Sequence, residues 1–228
     1  MNGSFQPPRP ATDAFTVEDR GRIAGALHSA RLHFCRCGYA PSAAFEAGES
    51  AGLVILLNGA SSTGKTSLAD ALRATCPERA LLVMSIDSFL AERTPHKGNV
   101  ELTLARTGLP LVEAFHEEIA AAARCGGRVA VDHVIGEKPE WLQDLKRRLG
   151  RLPLFTVKVH CRLDVQRRRE AGRRDRAEDW PRAFRQAGRI HDGMTYDAEA
   201  DTSEQEPVQL AKMLWEQMAA WRTKNGLA

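Results

Sequence analysis

Leu53-Val-Ile-Leu-Leu-Asn-Gly59-Ala-Ser-Ser-Thr-Gly64-Lys65-Thr66-Ser67 decides the fold. An apolar run of strand length meets a glycine-rich turn. The turn opens into Ser67-Leu-Ala-Asp-Ala-Leu-Arg73, which has helical composition. The turn spells G-x-x-x-x-G-K-[ST]. Glycines let a backbone wrap an anion, and consecutive amide N–H groups then point inward as donors. The helix N-terminus adds partial positive charge. This spacing assigns Gly59, Ala60, Ser61, Ser62, Thr63, Gly64, Lys65, Thr66 and Ser67 to phosphate binding. Lys65 reaches the terminal phosphates and the Thr66 hydroxyl reaches Mg²⁺. A purely structural glycine turn is the competing reading, and the flanking strand and helix weigh against it.

Outward from this stretch, apolar runs alternate with helical ones. Leu81-Leu-Val-Met-Ser-Ile86 reads as a strand ending at Asp87, and Arg128-Val-Ala-Val131 as one ending at Asp132. Leu154 to His160 is a further strand. Helices are expected over 111–125, 139–149, 163–173, 180–191 and 208–222, the first stopped by Gly126-Gly127. Such alternation implies a mostly parallel sheet covered on both faces. Ahead of it, Pro7, Pro8 and Pro10 mark an extended start, a helix is expected from about Val17 to Cys35, and Gly38 to Gly52 reads as a linker. The chain thus divides into an N-terminal extension, 1–50, and one α/β domain, 51–228.

Composition narrows the function classes. The 228 residues are 43% hydrophobic and 27% charged, which suits a globular domain with a real core. No apolar run approaches the roughly 20 residues of a membrane helix, and no signal-peptide pattern opens the chain, so a cytoplasmic protein without a membrane partner is expected. The net charge of +3 is too small to argue for nucleic acid. The charge is uneven: residues 151–189 hold twelve bases against five acids, a local +7 that suits a small polyanion such as a nucleoside triphosphate. Five cysteines, an odd number, argue against a disulfide framework. His33-Phe-Cys35-Arg-Cys37 lacks the paired spacing of a zinc site.

In open α/β sheets, ligands bind outside the carboxyl ends of the strands. The loop 59–66, Asp87 and Asp132 all fall at such ends. Asp132 suits a carboxylate that holds Mg²⁺, and Asp87 suits a base that takes the proton of an attacking hydroxyl. Spacing leaves open whether the two exchange roles, and either aspartate also fits a structural turn or cap. Arg173 and Arg176, at i,i+3, suit a lid that stabilises charge on a transferred phosphoryl group.

The order of these pieces resembles the chloramphenicol phosphotransferase-like kinases. Leu57-Asn58-Gly59-Ala-Ser-Ser-Thr-Gly-Lys65, Ile86-Asp87-Ser88, Val131-Asp132-His133-Val134 and Arg169-Glu170 through Arg173-x-Asp175-Arg176 carry the resemblance, with His191-Asp-Gly193, Tyr196-Asp197 and Asp201-Thr202 further on. It implies a P-loop kinase-type three-layer sandwich with a mostly parallel five-stranded sheet, plus the N-terminal helical extension. It implies Asp87 as base, Lys65, Arg173 and Arg176 as phosphate-handling catalytic residues, and ATP with Mg²⁺ held at Thr66 and Asp132. His133 and Arg174 depart from the family pattern, and residues 90–108 have no obvious match. The function expected is transfer of the γ-phosphate of ATP to a hydroxylated small molecule, with an antibiotic of chloramphenicol-like or nucleoside type as acceptor, giving resistance. A sugar or nucleoside metabolite, or a nucleotide-dependent switch without an acceptor, are the alternatives. Homo-oligomerisation stays open.

Overall fold

The structure is a computed structural model that describes residues 52–77, 81–93, 111–172 and 188–227. The N-terminal helix, the His33/Cys35/Cys37 group, most of the stretch 91–108, and Arg173 and Arg176 lie outside these residues. Strand β1 (Leu53–Asn58) is buried at all six positions. It lies at the centre of a five-stranded parallel sheet with β2 (Leu81–Ser85), β3 (Arg128–His133), β4 (Leu154–His160) and β5 (Ala198–Asp201), in the spatial order 2-3-1-4-5. A central parallel strand is covered on both faces, which is why Leu53-Val-Ile-Leu-Leu57 is continuously apolar rather than alternating.

Two helical layers supply the cover. Helices α1 (Lys65–Ala74) and α6 (Pro207–Lys224) pack on one face through Leu68, Leu72, Leu210, Leu214 and Met218, against Ile55, Leu57, Ala130 and Val157. The period of two sends Val54, Leu56, Val129 and Val131 to the other face. There α3 (Leu111–Arg124) lies against β3 and β1, with α4 (Pro139–Leu149) beside it. Helix α2 (Ile86–Arg93) follows β2, and α5 (Leu163–Ala171) follows β4. Register aligns the chemistry: Asp132 pairs with Leu57 on one side and Ser85 on the other, so the three strands end together.

Three boundaries differ from the sequence reading. Strand β2 ends at Ser85 and α2 begins at Ile86 with no connecting loop. Ile86 is buried, so its apolarity fitted a strand equally well. Residues 188–193 form turns, not the end of a helix. Strand β5 escaped the walk along the chain: of Ala198-Glu-Ala-Asp201 only Ala200 is buried, so an edge strand paired to β4 alone left no apolar run. Among the described residues, Cys76, Cys125 and Cys161 are free thiols.

Candidate functional site

Each part of the loop 59–66 has a local cause. A Cβ on Gly59 would stand 2.2 Å from the Val159 carbonyl oxygen, so only glycine lets the loop leave β1 against β4. Gly64 has φ +88°, a conformation that L side chains rarely adopt, and α1 starts at the next residue. Ser62, at φ +61°, is alone among described non-glycine residues in having positive φ. The Thr63 hydroxyl donates to the Ala60 carbonyl at 2.9 Å, and Lys65 Nζ donates to the same oxygen at 2.8 Å. Helix α1 has no acid in its first turn and no side-chain cap, which leaves its positive end suited to an anion.

Asp132 meets this loop. Thr66 Oγ1 donates to Asp132 Oδ2 at 2.6 Å, and Lys65 Nζ lies 3.8 Å from Asp132 Oδ1. The period of two places Asp132 on the same sheet face as Ala130, the face that α1 covers. A hydroxyl and one carboxylate form the sparse hard-oxygen set that Mg²⁺ combines with phosphates and water. No group of three or more His, Cys, Asp or Glu side chains gathers as a self-sufficient metal site among the described residues. Asp87 is exposed in the first turn of α2, two residues past Ser85, the residue paired with Asp132. The rim therefore brings together Lys65, Thr66 and Asp132 in contact, with Asp87 in the first turn of the helix that follows the adjacent strand. Ser67 is exposed on α1 beside Thr66.

Several residues of the site were given no role from sequence, although Asn58, Arg169, Glu170, Tyr196 and Thr202 stand in the stretches that carry the resemblance. Asn58 Nδ2 donates to the Ile190 carbonyl at 2.9 Å and to Tyr196 Oη at 2.7 Å, while its Oδ1 accepts from the Gly136 amide at 3.2 Å. One buried amide thus ties the end of β1 to two later loops. Helix α5 turns one face to the loop. Gln166 Nε2 donates to the Ser61 carbonyl at 2.7 Å, and the Ser62 hydroxyl donates to Glu170 Oε2. Arg169 donates to Thr202 Oγ1 at 3.0 Å and to the Thr202 carbonyl at 2.7 Å, and Thr202 Oγ1 in turn donates to the Thr63 carbonyl at 2.5 Å. Gln166, Arg169 and Glu170 stand at i, i+3 and i+4, a shared face that the spacing reveals, although spacing does not say what it meets.

On the other face of β3, His133 is fully buried, with its Nε2 3.2 Å from His116 Nε2; His116 Nδ1 lies 2.8 Å from Asp144 Oδ2. Burial holds the pKa of His133 well below the ordinary histidine value, and the nearby His116 and Lys65 push the same way. Burial also lowers that of His116, against the pull of Asp144. Both rings are therefore neutral at pH 7. Asp144 accepts the Nδ1 proton of His116, leaving His116 Nε2 to accept from His133.

A parallel sheet in this order, with a phosphate-binding loop after its central strand and a carboxylate at the adjacent strand end, defines a P-loop kinase fold. Solved structures agree. An APS kinase from Mycobacterium tuberculosis, in complex with AMPPNP and APS, superposes with a TM-score of 0.55 at 14% identity over 75% of this chain and 99% of that one. Shikimate kinase from Acinetobacter baumannii, in complex with shikimate, gives 0.55 at 12% over 75% and 95%. The Deinococcus radiodurans tunicamycin resistance protein gives 0.54 at 18% over 73% and 95%. At these identities the likeness speaks for the fold alone.

The family is narrower than the fold. Residues 52–219 match the chloramphenicol phosphotransferase-like protein family, and the chain belongs to it. Two Mycobacterium tuberculosis proteins, from strains CDC 1551 and H37Rv, are each 33% identical over 196 residues, covering 76% of this chain and 85% of theirs; both bear the name "putative O-phosphotransferase".

Proposed function

We propose that the protein is an ATP- and Mg²⁺-dependent kinase that phosphorylates a hydroxyl of a small molecule, with an antibiotic of chloramphenicol-like or nucleoside type as acceptor. The observation that carries the reading is the meeting of Lys65, Thr66 and Asp132 at the sheet rim: a cation, a hydroxyl and a carboxylate within 3.8 Å. Family membership supports the acceptor class. Bound Mg²⁺ would neutralise charge on the β- and γ-phosphates. The chain's own groups divide the remaining work. The loop amides and Lys65 hold the phosphates, and Thr66 with Asp132 would hold the metal. Asp87, on α2, takes the proton of the attacking hydroxyl. Arg173 and Arg176 stabilise the phosphoryl group in flight.

A panel of hydroxylated antibiotics, sugars and nucleosides incubated with γ-labelled ATP tests this. Label is expected on an antibiotic. Label on a sugar or nucleoside metabolite alone would replace the acceptor class. Label only in inorganic phosphate would favour a nucleotide switch and overturn the kinase assignment.

A further inference from the structure

The loop read as the phosphate cradle is held from outside by side chains of α5 and by Thr202. In a trans peptide unit the C=O and the N–H point in opposite directions. No described peptide bond is cis. Two loop carbonyls are captured. That of Ser61 accepts from Gln166 Nε2 at 2.7 Å, and that of Thr63 accepts from Thr202 Oγ1 at 2.5 Å. Their captors converge on α5: Gln166 belongs to it, and Thr202 is gripped through both Oγ1 and its carbonyl by Arg169 of the same helix. The amides of the next residues must then point away from these captors, that of Ser62 away from Gln166 and that of Gly64 away from Thr202.

Arg169 also settles the Thr202 hydroxyl. It occupies a lone pair of Oγ1, and of the two carbonyls in reach of the hydroxyl hydrogen, Thr63 at 2.5 Å and His160 at 3.3 Å, the nearer takes it. Between the two captured units stands Ser62, whose backbone is in the left-handed region and whose side chain is held by Glu170. Residues 61–63 are therefore secured from α5 one after another.

We propose that Gln166 and Thr202 are positioning residues: by capturing the Ser61 and Thr63 carbonyls, they aim the Ser62 and Gly64 amides at the bound phosphates. The inference rests on the phosphate-binding reading of the loop. It assigns α5 and the residue after β5 a task of preorganisation, so that donors already face the anion and need no reorientation when it arrives.

Titration calorimetry with ATP and with inorganic tripolyphosphate tests this on wild type, Gln166→Met, Thr202→Val and Thr202→Ser. Met keeps length without a donor, Val keeps shape without a hydroxyl, and Ser restores the hydroxyl. Gln166→Met and Thr202→Val are expected to weaken both ligands about tenfold, the equivalent of one lost hydrogen bond. Thr202→Ser is expected to stay within about twofold of wild type. In wild type, tripolyphosphate should shift the backbone amide resonances of Ser62 and Gly64, and in the two donor-deleted variants the shifts should shrink. With two independent captors, one variant that fails to fold leaves the other to decide. Wild-type affinity for tripolyphosphate in a folded Gln166→Met or Thr202→Val protein would overturn the assignment, as would Thr202→Ser binding as weakly as Thr202→Val. A wild-type protein that binds neither ligand would instead overturn the phosphate-loop reading itself.

Discussion

Replacing Lys65 by Met removes the ammonium and keeps most of the stem. Lys65 is 7% exposed, donates to the Ala60 carbonyl at 2.8 Å and lies 3.8 Å from Asp132. At that separation two unit charges attract by about 4 kcal/mol for an effective dielectric near 20. Desolvation offsets most of this, because both groups are buried. The free protein should therefore lose only modest stability. Nucleotide binding should lose more. On the proposed function, the ammonium leaves Ala60 for a phosphate when nucleotide binds, exchanging a neutral acceptor for a charged one. A charge-assisted hydrogen bond contributes roughly 1.5–3 kcal/mol, which corresponds to a rise in Kd of about 10- to 150-fold. Calorimetry with ATP in the absence of Mg²⁺ isolates this contribution from that of Thr66 and Asp132. A variant that folds and binds ATP within about twofold of wild type would refute the reasoning.

Three further perturbations address other links of the argument. Asp87→Asn should abolish label transfer to the acceptor while ATP affinity stays near wild type, because an amide cannot take the hydroxyl proton; transfer at the wild-type rate would remove Asp87 from the role of base. Leu68 is fully buried on α1 between the sheet and α6, so Leu68→Ala should cost about 3 kcal/mol in denaturant unfolding; a loss under about 1 kcal/mol would contradict this packing. Burial pushes the pKa of His191 from its ordinary 6.5 to about 4. Between those values the unfolded chain binds a proton that the native protein does not. Stability is thus intact above pH 6.5 and falls as pH drops toward 4. His191→Gln should flatten part of that fall in melting temperature, and curves that stay parallel would count against the assignment.

The legibility of the site follows the range of each interaction. Lys65 and the loop around it are contiguous, so their spacing already states their chemistry. Asp132 was legible at a strand end, because the apolar run before it is continuous and a parallel sheet puts strand ends on one rim; Asp87 was expected at such an end and instead stands in the first turn of α2, two residues past β2. Gln166 and Glu170 were not. They fall in a helix whose composition is largely charged, where a polar residue ordinarily meets solvent. Asn58 looked like the last residue of a strand, and only its distant partners give it the task of joining the segments near residues 136 and 190–196. Strand β5 was illegible because an edge strand with one buried residue needs no apolar run.

By itself, the amino-acid sequence determined the glycine-rich loop after β1, four of the strands and, to within a few residues, the helices α1, α3, α4, α5 and α6. Those features rest on neighbours within a few residues, where steric limits and hydrophobic period act directly. The tertiary structure decided which distant groups complete the loop. Thr66 finds Asp132 66 residues away, Ser61 finds Gln166 at 105, and Thr63 finds Thr202 at 139. A hydrogen bond works only when donor and acceptor lie about 3 Å apart in the right direction. Across such separations that precision comes from packed helices on a registered sheet, and no local pattern in the chain can announce it.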